Sequence, residues 1–115
     1  MKNSDDHFRK CSDADIRQLL APCPEVVEKM MEMGRIPLID AYDSVLFSYG
    51  MHFCVFPVYK NDNNDAVAYF GYQYAIGKDR YEMEGNQGCR TRAEAQLVVV
   101  HETMYELRRR IRNAS

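Results

Sequence analysis

The stretch TRAEAQLVVVHETMYELRRRIR (Thr91–Arg112) decides how the rest of this chain folds. Thr91 is a good helix N-cap, and Glu94 three residues on completes a capping box. Leu97, Val100, Met104, Leu107 and Ile111 then recur at alternating steps of three and four, which draws one apolar stripe along a helix. Arg108, Arg109, Arg110 and Arg112 gather at the end, where positive charge meets the negative pole of the helix dipole. A helix with one apolar stripe needs a surface to lie on. The aromatic segments before it are the expected surface.

Those segments have the texture of strands. Met51 to Tyr59 and Ala66 to Ile76 are dense in β-branched and aromatic residues, and the polar run Lys60 to Asp65 between them reads as a hairpin loop. Gly77, Lys78 and Asp79 form the next turn, Arg80 to Glu84 a short third strand, and Gly85 to Arg90 a glycine-containing link into the last helix. Links this short force antiparallel pairing. Pro57 lacks a ladder donor and belongs at a sheet edge or a bulge. In the second strand Phe70, Tyr72, Tyr74 and Ile76 share one face, expected to pack under the final helix. Val67, Tyr69, Gly71, Gln73 and Ala75 share the other, expected to lie under the two N-terminal helices, with a face left open to a partner as the alternative.

Ahead of the strands, residues 1 to 11 are polar and read as loose. Ser12 caps a short helix with Ile16, Leu19 and Leu20 on its apolar side, ended by Pro22. Pro24 opens a second helix that carries Val26, Val27, Met30, Met31 and Met33 to a stop at Gly34. From Pro37 to Tyr49, Leu38, Tyr42, Val45 and Tyr49 keep helical spacing. The run Val45-Leu46-Phe47 would also suit a buried strand, but the helical pattern covers more residues. The fold expected is therefore α+β. N-terminal helices over 1–36 precede an α-β-β-β-α unit over 37–112, with a three-stranded antiparallel sheet packed by the C-terminal helix.

The whole chain of 115 residues makes one domain with a single modest core. Its apolar content of 46% and charged content of 28% are those of an ordinary globular protein. A net charge of −2 speaks against a general polyanion binder. No apolar run approaches a membrane span and the polar start lacks the core of a signal peptide, so a cytoplasmic protein without membrane attachment is expected. Cys11, Cys23, Cys54 and Cys89 contain no close pair and read as reduced thiols rather than zinc ligands. His52 and Cys54 share a strand face, but no nucleophile motif surrounds them, and no phosphate-binding glycine loop is present. Neither a catalytic residue nor a cofactor or metal is expected.

The element order over residues 37 to 112 resembles the double-stranded-RNA-binding domain. Gly88-Cys89-Arg90-Thr91-Arg92-Ala93-Glu94-Ala95-Gln96 stands where that family has a glycine, a capping Ser and a lysine-rich helix start whose lysines reach phosphates. Thr91 matches the cap, Arg92 the first lysine and Ala95 the alanine, whereas Ala93 and Gln96 replace the other two lysines. Residues 37 to 89 hold three Lys/Arg against seven Asp/Glu, while 90 to 112 hold six Arg against three Glu. The resemblance thus carries the topology further than the RNA contact. In wording the chain is closer to small uncharacterised proteins of phages and mobile elements of gut bacteria. Tyr49-Gly50-Met51-His52-Phe53-Cys54-Val55, the tyrosine-rich hairpin and Arg90-Thr91-Arg92-Ala93-Glu94-Ala95 carry that resemblance. It implies a fold and brings no activity. The resulting expectation is a non-enzymatic module that binds another protein, including a second copy as a homodimer, with Tyr69, Gln73, Met30 and Met33 as contact residues. The alternative is a nucleic-acid binder using Arg90, Arg92, Arg108, Arg109 and Arg112.

Overall fold

A computed structural model of the chain describes residues 12–34, 38–61, 64–83 and 89–114. The fold is α+β, with four helices and an antiparallel sheet. In chain order these are α1 (Asp13–Leu19), α2 (Pro24–Met31), α3 (Leu38–Ser48), β1 (Met51–Asn61), β2 (Asn64–Ile76), β3 (Asp79–Met83) and α4 (Arg92–Ala114). The helical reading of the segment before the strands holds. The loose start at residues 1 to 11, the hairpin tip at Asp62 and Asn63, and the glycine link at residues 84 to 88 lie outside the described residues.

Local signals set the helix ends. Ser12 accepts a hydrogen bond from the Asp15 amide at 3.2 Å, and the Asp15 carboxylate accepts one back from the Ser12 amide at 3.4 Å. Thr91 Oγ1 accepts from the Glu94 amide at 3.1 Å and donates to the Glu94 carboxylate at 3.1 Å. Asp13 reaches out of α1 to accept from the Leu38 amide at 3.1 Å, so one helix supplies a cap for the start of another. Gly34, Gly50 and Gly77 take positive φ at the ends of α2, α3 and β2. Of these, Gly50 and Gly77 are tied together, the Gly77 amide donating to the Gly50 carbonyl at 3.0 Å.

The strands lie in the order β1-β2-β3, with β3 in register along Tyr72 to Ile76. β1 and β2 form a long ribbon that runs from Met51↔Ile76 to Asn61↔Asn64. β1 is an edge strand, which is where Pro57 can stand. The register slips between Val58 and Tyr59, because Val58 pairs with Tyr69 while Tyr59 pairs with Val67. Ala68 is the extra residue of a bulge, and strict alternation fails there. Val67 therefore joins the face of Phe70 and packs beside it, against the expectation that it shares a face with Tyr69.

The core lies on one side of this ribbon. Phe70 and Tyr72 pack against Ala95 and Val99 of α4, with Phe53, Val55 and Tyr74 around them. Tyr72 also donates from its hydroxyl to Glu102 at 3.1 Å. Val100, Met104, Leu107 and Ile111 turn toward α1, α2, α3 and the start of β1. The apolar stripe of the last helix thus docks mainly on the other helices. The sheet is met by Ala95 and Val99, on a second stripe that the spacing argument did not include. Between the stripes, Tyr42 and Thr103 share a buried 2.6 Å hydrogen bond, and Thr103 also donates to the Val99 carbonyl at 2.8 Å. Among the described residues, no buried side-chain nitrogen or oxygen lacks a partner.

The two N-terminal helices correct one expectation. They do not cover the second face of the sheet. Ile16, Leu20, Val26 and Met30 join the cluster formed by Tyr42, Leu46, Val100 and Leu107, on the same side as α3 and α4. That side already presents the larger apolar surface, so burying the N-terminal helices there removes more area from water. The other face of the ribbon carries none of the four helices.

Candidate functional site

Along the uncovered face the cross-strand pairs are His52↔Ala75, Cys54↔Gln73, Phe56↔Gly71 and Val58↔Tyr69. His52 and Cys54 are exposed, Phe56, Val58, Tyr69 and Gln73 are half-buried, and Gly71 and Ala75 are buried. Phe56 lies directly over Gly71. A Cβ added at Gly71 would stand 2.7 Å from a Phe56 ring carbon, so the glycine is the seat of the ring. The Gln73 amide nitrogen lies 3.1 Å from the Cys54 sulfur and donates to it. These eight positions contain no Asp, Glu, Lys or Arg. The result is a partly aromatic surface whose β1 and β2 positions carry no charge.

The exposed edge of the same ribbon is guarded. The Val55 carbonyl accepts from the Arg92 guanidinium at 3.3 Å, and Pro57 two residues on has no amide proton to offer. A charged side chain and a proline are two of the devices that keep an edge strand from adding another strand.

A second concave surface lies between α1 and α4. It is a groove of about 610 Å³ with Leu19, Leu97, Val98 and Met104 as its apolar lining and Asp15, Gln18, His101 and Tyr105 at its polar positions. Its residues make a mixed surface with no convergent set of buried polar groups.

The expected contact residues divide. Tyr69 and Gln73 stand together on the uncovered face. Met33 is exposed just past the end of α2. Met30 is only 1% exposed and belongs to the core, which removes it as a contact residue. The reason is helical geometry: its side of α2 is the one that also buries Val26. Phe56 and Val58 stand on the same face and were not singled out from the sequence, whereas Cys54 was noted there only for sharing a strand face with His52. Alternation in β1 about Pro57 was the available signal.

Of the arginines proposed for nucleic acid, Arg92, Arg108, Arg109 and Arg112 are engaged within the molecule. Arg92 sits 5.3 Å from the centre of the Phe70 ring while its guanidinium donates to Val55. Arg108 and Arg112 both grip Glu25 of α2, at 2.9 Å and 2.6 Å. This pair of guanidinium hydrogen bonds, with a backbone one, holds the Glu25 carboxyl down at about 2. Arg109 pairs with Glu106 at 2.6 Å, and Arg110 bridges Glu106 at 2.8 Å to the Tyr49 carbonyl at 2.9 Å. Arg90 is exposed just ahead of the α4 cap.

Of the three described cysteines, Cys23 and Cys89 are buried, and burial pushes both thiols up from the ordinary range. Cys54 is exposed. Among the described residues no group of three or more His, Cys, Asp or Glu side chains is placed to hold a metal ion. No described helix is long and apolar enough to cross a membrane. Compared with protein-family models, curated proteins and solved structures, the chain matches none of them.

Proposed function

We propose that this chain is a non-enzymatic interaction module, of the small accessory kind found in phages and mobile elements, and that its contact surface is the uncovered face of the β1–β2 ribbon. One observation carries the reading. Phe56, Val58 and Tyr69 form an uncharged row on a face that none of the described helices covers, on a ribbon whose opposite face packs into the core. A flat apolar surface of this kind gains free energy when a partner excludes water from it. The nucleic-acid alternative would draw on arginines that already tie α4 to α2 and β1. Releasing them would cost internal contacts before any phosphate is met.

Cys54 stands on the face and makes the reading testable. A short bifunctional reagent placed on Cys54, in a chain with Cys11 changed to Ser, is expected to trap a polypeptide in the cell that makes the protein. Tyr69→Lys, which puts a charge on the face, should abolish the adduct. Absence of any Cys54 adduct, or an adduct indifferent to Tyr69→Lys, would refute the assignment of this face.

A further inference from the structure

We infer that residues 12–34, which hold α1 and α2, form a strap that opens and recloses as one unit over the apolar side of α3 and α4, with Glu25 as its latch. The inference is independent of the ribbon face.

The first argument is how the strap is attached. Among the described residues, no backbone–backbone hydrogen bond joins residues 12–34 to those from Leu38 onward. From Leu38 onward the main chain is stitched across elements. The β1–β2 and β2–β3 ladders, the Gly77 amide on the Gly50 carbonyl and the Phe70 amide on the Cys89 carbonyl at 2.7 Å do this. The strap is tied to them through side chains. Asp13 accepts from the Leu38 amide, Arg108 donates to the Pro22 carbonyl at 2.8 Å, and the Glu25 carboxylate is shared by Arg108 and Arg112. A part of a fold that shares no backbone ladder with the rest is suited to open as a separate cooperative unit.

Helix length is the second. α1 has seven residues and α2 eight, and in water helices of fewer than about 12 residues do not persist alone. Both therefore hold only while docked, and they leave together. Ile16, Leu20, Val26 and Met30 dock them against Tyr42, Leu46, Val100 and Leu107. That burial keeps the strap closed nearly all the time, while the chain entropy regained on opening offsets part of it. Opening is rare, and it uncovers the apolar surface that α3 and α4 share. The third argument is the anchoring of α4. Arg108 and Arg112 turn to the strap, whereas Arg110 between them bonds Glu106 and the Tyr49 carbonyl at the base of the ribbon. With Ala95 and Val99 on the sheet as well, α4 stays in place when the latch lets go.

Cys23 is the reporter. It caps α2 inside the strap and is fully buried, so a thiol reagent meets it only on opening. The full chain is exposed to iodoacetamide in urea below the unfolding transition, and alkylation at Cys23 is read by peptide mass. The opening it reports should have about a fifth to a third of the urea slope of global unfolding followed by circular dichroism. Glu25→Gln should speed alkylation about three- to tenfold, because the latch loses its charge. Val99→Ala, in the cluster against the sheet, should lower global stability and leave the Cys23 rate within about twofold of wild type. Alkylation that follows the full urea slope, or that rises with Val99→Ala as much as global unfolding does, would overturn the strap. The molecule would then open as one piece. A slope near zero would overturn it too, since only Cys23 itself would be fluctuating, and an unchanged rate in Glu25→Gln would overturn the latch.

Discussion

The two faces of the β1–β2 ribbon are made by alternate residues of the same two strands, yet they have opposite fates. On one, Phe53, Val55, Phe70 and Tyr72 lie under α4. On the other, Cys54, Phe56, Tyr69 and Gln73 lie under none of the described helices. Composition alone does not separate them, since both carry aromatic and aliphatic side chains. The difference comes from how much apolar surface each offers to a helix. The covered face is continuous with Met51 and Ile76 and so with the cluster that α1, α2 and α3 build. The uncovered face is interrupted by Gly71, which is filled from within by Phe56.

If that contrast is right, substitutions on the covered side should cost far more than those on the other. Leu107→Ala removes a fully buried side chain from the cluster under the helices and should cost about 2–5 kcal/mol in urea unfolding. Gly71→Ala should cost about 1 kcal/mol or less, because the new methyl group displaces only the far end of the half-buried Phe56 ring. The second change leaves the helical side intact, so near-ultraviolet signals from Tyr42 and Tyr72 should persist. Arg92→Ala loses the contact with the Phe70 ring and the Val55 hydrogen bond, for about 1 kcal/mol. It also unguards the β1 edge, and light scattering should then report slow, open-ended growth by edge pairing.

Acid should act on the helical side first. Glu25 has its carboxyl held near 2 in the folded chain, against 4.5 as its ordinary value. A depressed carboxyl stabilises the fold fully above the ordinary value, and that stabilisation is lost as pH falls from about 4.5 toward 2. Glu106, lowered by Arg109 and Arg110, adds in the same direction. Glu25→Gln should flatten this part of the stability profile while leaving the profile above pH 6 parallel to wild type. A midpoint that falls equally in Glu25→Gln and wild type would assign the acid response elsewhere.

Much of this architecture was legible in the sequence because it rests on local rules. Ser12, Pro24 and Thr91 announced helix starts, and Gly34 and Gly50 announced stops. The alternation of Phe70, Tyr72 and Tyr74 named the covered face. Choices among long-range partners were not legible. The spacing of Leu97, Val100 and Met104 shows that α4 has an apolar stripe, but it does not say whether helices or strands lie against it. Nor does it reveal the second stripe at Ala95 and Val99, where small residues allow the close approach of the sheet. The bulge at Ala68 had no signal in a strand read by period two, and Val67 changed faces with it. Of the site, Tyr69 and Gln73 were visible. Phe56 became visible only with the cross-strand partner that seats it.

Tyr69 and Phe70 are neighbours in the chain and point to opposite faces, so their comparison tests the contrast most directly. Each is changed to Ser, and unfolding is followed in urea. Phe70→Ser should cost about 3–5 kcal/mol, and Tyr69→Ser no more than about 1 kcal/mol. Comparable losses at the two positions would mean that the face of Tyr69 is part of the core, and the division of the ribbon into a covered and a free side would be wrong.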